Sequence, residues 1–80
     1  MNQPLWQRIS LDPRVMTGKP VIRGTRIPVE LIVRMLAQGI PEHDILREYP
    51  RLQPEDIRAA LAYAAQALAL EDVFPLAVPA

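Results

Sequence analysis

Residues 41–57, PEHDILREYPRLQPEDI, decide how the rest of the chain is read. Pro41 opens a short helix. Its acids Glu42 and Asp44 fall in the first turn and Arg47 in the last, complementing the partial charges of the helix ends. Ile45, Leu46 and Tyr49 share its inward side. Tyr49-Pro50 stops it, because the residue before a proline is steered toward extended backbone. After the turn PRLQ, Pro54 starts a longer helix. Short helix, brief turn, longer helix is the order of a helix-turn-helix in a three-helix, homeodomain-like domain. The same order is common in small α proteins that never touch DNA.

Downstream, Ile57, Leu61, Ala64 and Leu68 form one apolar stripe on the third helix, with Glu55, Ala59, Ala62 and Gln66 on the outward face, Tyr63 nearby and Arg58 to one side. A base-reading helix presents Arg, Lys, Asn or Gln near its start. Here Glu55 and Asp56 repel phosphate, and only Gln53 and Arg58 suit DNA. The alanine-rich remainder suits close packing on another helix, so Ala59, Ala62, Tyr63 and Gln66 are candidate partner contacts. The end of the chain, EDVFPLAVPA, leaves the helix as an extended tail. Its Val73, Phe74, Leu76 and Val78 are also candidate partner residues, which fold back on the core, pair across a dimer or are captured by another protein as a strand.

Upstream, Pro28 is placed at the start of a first helix in which Val29, Ile32, Val33, Met35 and Leu36 make an apolar stripe at 3.6-residue spacing. Glu30 and Arg34 form an i,i+4 pair beside it, and Gly39 ends it. Before this helix stands GKPVIRGTRIPV, residues 18–29. β-branched residues on both sides of Gly24 predict two short strands around a tight turn. Lys19, Arg23 and Arg26 lie within eight residues that hold no acid. With Thr25, and with Gln53 and Arg58 of the third helix, they are candidate DNA contacts. The plainer reading is an edge whose charges discourage aggregation.

Charge is unevenly spread. In residues 1–40 six bases face two acids, a net +4, and in residues 41–80 three bases face seven acids, a net −4. A basic front suggests a polyanionic partner and an acidic back a different one, unless the halves neutralise each other within or between copies. Eighty residues make one domain near the lower limit of what folds alone. Cysteine is absent, which removes disulfides, thiolate metal sites and thiol nucleophiles. His43 is the sole histidine and has no partner for a metal site; a surface position is expected. Gly18 and Gly24 belong to no phosphate-loop motif. The acid pairs at the helix starts read as capping charge rather than acid–base machinery. No apolar run spans a membrane, and MNQPLWQRISLD lacks a signal-peptide pattern. A soluble cytoplasmic protein, without enzymatic activity, cofactor or metal, is expected.

The stretch ISLDPRVMTGKPVIRGTRIPVELIVRMLAQGIPEHDILREYPRLQPEDIRAALAYAA, residues 9–65 and about seven-tenths of the chain, resembles the small bacterial proteins of domain-of-unknown-function family 433. Gly18, Gly24, Thr25 and Arg26 match its GTR-containing block. The resemblance implies a VapB-type antitoxin with a homeodomain-like fold. Such a protein neutralises a PIN-like ribonuclease toxin by direct binding and represses its own operon as a homodimer. The competing expectation is an interaction module that inhibits or scaffolds a partner without binding DNA. Pro41 and Gln53 stand where Ser or Thr would cap the helices, a loss of about 1 kcal/mol each at most. The resulting picture is a mainly α protein: an N-terminal arm (1–8), a three-helix domain preceded by a short β-hairpin (9–70), and an apolar extended tail (71–80).

Overall fold

The structure, a computed structural model, describes residues 5–70. A 3-10 turn at Leu5–Arg8 leads into β1 (Ile9–Ser10), a loop, β2 (Val21–Ile22), and three helices: α1 (Val29–Ala37), α2 (Glu42–Glu48) and α3 (Pro54–Leu70). The mainly α chain with a short antiparallel ribbon ahead of three helices is as expected. The extended tail lies outside the described residues. The described part of the expected N-terminal arm is the 3-10 turn, and it is docked along α3.

The ribbon is assembled differently from the expected hairpin. The turn is where the sequence puts it: Thr25 N–H donates to the Ile22 carbonyl at 3.0 Å, and Gly24 takes φ +81°, as a type II turn requires at its third position. The strand paired with β2, however, is β1, with Ile9 opposite Ile22 and Ser10 opposite Val21. Residues 27–29 lie along the other side of β2 through the Ile22-to-Ile27 and Val29-to-Pro20 backbone bonds and one bridge, Val21 to Pro28. Pro28 has no N–H to continue a ladder, so this side stays a bridge. β2 is therefore the middle of three segments, which explains why Val21 and Ile22 are both buried.

Helix starts and stops follow the local chemistry. Pro28 and Pro41 are the extended residues just before α1 and α2, one position earlier than the first helical residue. α1 ends in a paired closure: Gly39 N–H donates to Leu36 and Ile40 N–H to Met35. Gly39 sits at φ +87°, which a side chain would disfavour. Ile9, Ile22, Val29, Ile32, Ile45, Leu52, Ile57, Ala59 and Ala60 close one core, against which Leu46, Tyr49 and the α1 stripe pack.

Of the stripe expected on α3, Ile57, Leu61, Ala64 and Leu68, only Ile57 is buried. Ile57 and Ala60 are buried, but Leu61 is 45% and Leu68 63% exposed. For Leu68 the cause is length. Seventeen residues make α3 about 25 Å long against about 13 Å for α1, at 1.5 Å per residue. The last turns of α3 outrun the elements that cover its start. Ala60, rather than Leu61, faces the core, where a small side chain allows close approach. Replacing Ile57 with alanine is expected to cost roughly 2–5 kcal/mol in unfolding free energy. Leu61→Ala should cost less, about 1 kcal/mol, since 45% of Leu61 already faces solvent. Denaturant melts of the two variants check the assignment, and equal losses would contradict it.

Candidate functional site

Two surfaces emerge, one at each end of α3. At its start, Asp56 is 5% exposed although it carries charge. Its Oδ2 accepts the Gln53 backbone N–H at 2.9 Å, and its Oδ1 accepts from Arg8 Nη1 at 2.9 Å. The first bond is half of a capping box, in which the Asp56 side chain reaches back to satisfy the Gln53 backbone N–H just ahead of the helix. The second ties the N-terminal turn to the helix. Asp56 is thus a structural anchor and not the solvated, phosphate-repelling charge expected of it. Glu55, its neighbour, meets Arg58 at 3.7 Å.

Arg23 has a comparable structural task. Its Nε donates to the Gln7 carbonyl at 2.6 Å and its Nη2 to the Ile9 carbonyl at 2.9 Å, while its own N–H donates to the Arg8 carbonyl. These bonds clasp the 3-10 turn and β1 onto β2. Carbonyls do not neutralise a guanidinium, so Arg23 remains a cation, but two of its five N–H donors are committed. Thr25 is similarly occupied: its hydroxyl donates to the Ile22 carbonyl and accepts from the Ile27 N–H.

Two adjacent clefts open beside this clasp. One, of about 580 Å³, is walled by Ser10, Asp12, Gly24, Thr25, Arg26 and Arg51 among others. The other, of about 250 Å³, is walled by Arg8, Arg23, Arg51, Gln53 and Asp56. Arg51 belongs to both. Asp12 is held by Arg14 through two side-chain bonds of 3.1 Å and one from the backbone N–H at 2.9 Å. The Arg14 side chain, then its backbone N–H, hold the Asp12 carboxyl below the usual carboxylate range. Of the expected phosphate contacts, Arg23, Thr25, Arg26 and Gln53 come together here. Lys19 walls neither cleft, and Arg58 is exposed on α3 beside Glu55. Arg51 was not singled out from the sequence. The signal was an arginine in the turn PRLQ between two helices, a position that exposes it.

The far half of α3 is apolar on several sides. Ala62, Tyr63 and Gln66 edge a groove of about 520 Å³ opposite Leu5 and Trp6, and Trp6 is 69% exposed. Ala59, expected on the outward face, is buried at the floor of this groove because the N-terminal turn packs on that side of α3. On the other side, Ala64, Ala67 and Leu68 face Val33 and Ala37 of α1 across a groove of about 410 Å³. Val73, Phe74, Leu76 and Val78 lie outside the described residues. His43 is on the surface beside Asp44, which also takes Arg47 at 2.6 Å. Among the described residues no group of three or more His, Cys, Asp or Glu is placed to hold a metal ion, and no helix is long and apolar enough to cross a membrane.

Arg23→Ala is expected to lower unfolding stability by about 1–2 kcal/mol, through loss of two hydrogen bonds to carbonyls. Arg26→Ala should leave stability within about 0.5 kcal/mol, as for other surface changes. Thermal melts distinguish the clasp from the free cation; equal shifts would remove the distinction.

Comparison with known proteins gives a consistent family. Residues 9–64 match the model of DUF433, described as a protein of unknown function. The uncharacterized protein y4eO of Sinorhizobium fredii is 38% identical over 56 residues, 70% of this chain and 25% of that protein. An uncharacterized protein of Archaeoglobus fulgidus is 59% identical over 29 residues, 36% of this chain and 81% of that one. The crystal structure of a DUF433 member from Anabaena variabilis is similar at a TM-score of 0.73 and 40% identity, covering 78% of this chain and 61% of that one. The chain thus spans a quarter of the Sinorhizobium protein and about three-fifths of the Anabaena one.

Proposed function

This chain belongs to the DUF433 family, and we propose that it acts as an antitoxin, a non-enzymatic cytoplasmic protein that neutralises a PIN-like ribonuclease by binding it directly. The observation that carries this reading is the far half of α3. From Leu61 to Leu70 the helix bears Leu, Ala and Tyr on several sides, flanked by two apolar grooves and an exposed tryptophan. Exposed apolar surface of this kind, continuous along one helix, is what a protein partner covers. The alanines allow a partner helix close approach, and the same surface suits pairing of two copies as a homodimer.

Autorepression through operator DNA is part of the proposal, with the contacts moved. The start of α3 is a poor reading head, since Glu55 is paired with Arg58 and Asp56 is buried. Phosphate contact by the arginines beside β2 is favoured instead. The same weakness of α3 favours the second reading, a module that inhibits or scaffolds its partner without touching DNA. Operator binding by the purified protein separates the two.

The Leu61→Glu, Leu68→Glu double variant tests the core of the proposal. Leu61 is 45% and Leu68 63% exposed, so both glutamates can reach solvent and the variant should fold, as its circular dichroism checks. It is expected to lose at least tenfold in affinity for the proposed PIN-like ribonuclease partner, about 1.4 kcal/mol, and to fail to rescue cells expressing that ribonuclease. Unimpaired rescue would contradict the assignment of α3 as the partner surface.

A further inference from the structure

We infer that Arg26 and Arg51 form a seat for phosphate oxyanions, at the point where the β2 turn meets the α2–α3 turn. This deepens the nucleic-acid half of the proposed function and is tested independently of any operator. The two clefts that share Arg51 gather four guanidinium groups, Arg8, Arg23, Arg26 and Arg51, against two carboxylates, Asp12 and Asp56. Each carboxylate is already engaged, Asp12 by Arg14 and Asp56 by Arg8 and the Gln53 N–H. The cleft walls carry a net +2 on a chain whose total charge is zero.

The arginines in and beside these clefts are not equivalent. Arg8 and Arg14 are spent on acids, and Arg23 is committed to two carbonyls. Arg26 and Arg51 make no hydrogen bond or ion pair through their side chains among the described residues, and both are exposed. Their donors are therefore the ones left for a ligand. A planar guanidinium fork suits the oxygens of a phosphate. The backbone N–H groups of Gly24 and Arg26, in the same cleft wall, also lack a protein acceptor among the described residues. Ser10 adds a hydroxyl. Arg23, Arg8 and their carbonyl and carboxylate partners hold the surrounding backbone, so the seat is preformed. Two clefts meeting at one arginine suit successive phosphates of a strand better than a single ion.

The test is binding of the full chain to a 20-base-pair duplex of arbitrary sequence, measured by fluorescence anisotropy between 50 and 300 mM salt, with pyrophosphate titrated in parallel by NMR. Arg26→Ala and Arg51→Ala should each weaken duplex binding about eightfold at 0.1 M salt and flatten the salt slope by about one, as for loss of one phosphate contact. Glu30→Gln, on α1, should change neither. Pyrophosphate should perturb the Gly24 and Arg26 amide signals in the wild type and not in the double variant. If pyrophosphate binds this way while the duplex does not, the seat stands and its ligand is a small phosphate. If both variants bind duplex and pyrophosphate as the wild type does, or the wild type binds neither at 50 mM salt, the seat is overturned. Because the duplex carries no operator, failure of operator recognition or of nuclease binding leaves this result unaffected.

Discussion

A buried carboxylate at the start of α3 fixes the arrangement on which both surfaces depend. Asp56 has few ways to be tolerated at 5% exposure, since an ionised carboxyl away from water needs partners at both oxygens. It finds a backbone N–H at one and the Arg8 guanidinium at the other. The first bond closes the open end of a helix that begins with Gln53-Pro54. The second reaches 48 residues back along the chain and fastens the N-terminal turn to the helical core. Arg23 completes the attachment from the other direction, through the carbonyls of Gln7 and Ile9. In a domain of this size, where the core is small, such a clasp is what joins a two-residue ribbon to three helices.

The clasp also sorts the charges. Arginines that look interchangeable in the sequence divide into those bound inside the fold and those left outside it. The acids that would counter the outer ones are drawn away, Asp56 to Arg8 and Asp12 to Arg14. A neutral protein thereby acquires a cationic face at one end of α3. At the other end, the helix continues beyond its supports and carries mostly alanine and leucine. Polar, hydrogen-bonded chemistry and apolar, area-dependent chemistry are thus separated along one rod. The N-terminal turn touches both, through Arg8 near the cationic clefts and through Leu5 and Trp6 beside the apolar groove.

Much of this architecture is legible in the sequence because it rests on local signals. The prolines at 28, 41 and 54 and the glycine at 39 bound the helices to within a residue. The turn at Gly24 follows from a positive φ that few other residues tolerate. What escaped local reading is long-range. Nothing near Ile9 or Ser10 marks them as the partner of β2, because two-residue strands have too little pattern to reveal pairing. Asp56 reads as a surface cap until Arg8 arrives from the far end. Ala59 reads as outward-facing until the N-terminal turn covers it. Leu61 and Leu68 fit the helical period of a core stripe, but periodicity fixes neither its phase, which turns Ala60 inward in place of Leu61, nor where along a helix its supports end. Arg51 lacked neighbours in sequence to make it noticeable; it matters only because the fold brings it beside Arg26.

The account turns on the Arg8–Asp56 attachment, and a double-mutant cycle on unfolding free energy tests it most directly. Arg8→Ala, Asp56→Asn and the pair together would be measured by denaturant melts. A coupling of about 1–3 kcal/mol is expected for a contact this shielded. With it, the amides of residues 5–10 should lose hydrogen-exchange protection in either single variant. A coupling below about 0.3 kcal/mol, with protection of residues 5–10 unchanged, would contradict the claim that this ion pair holds the N-terminal segment to the helices.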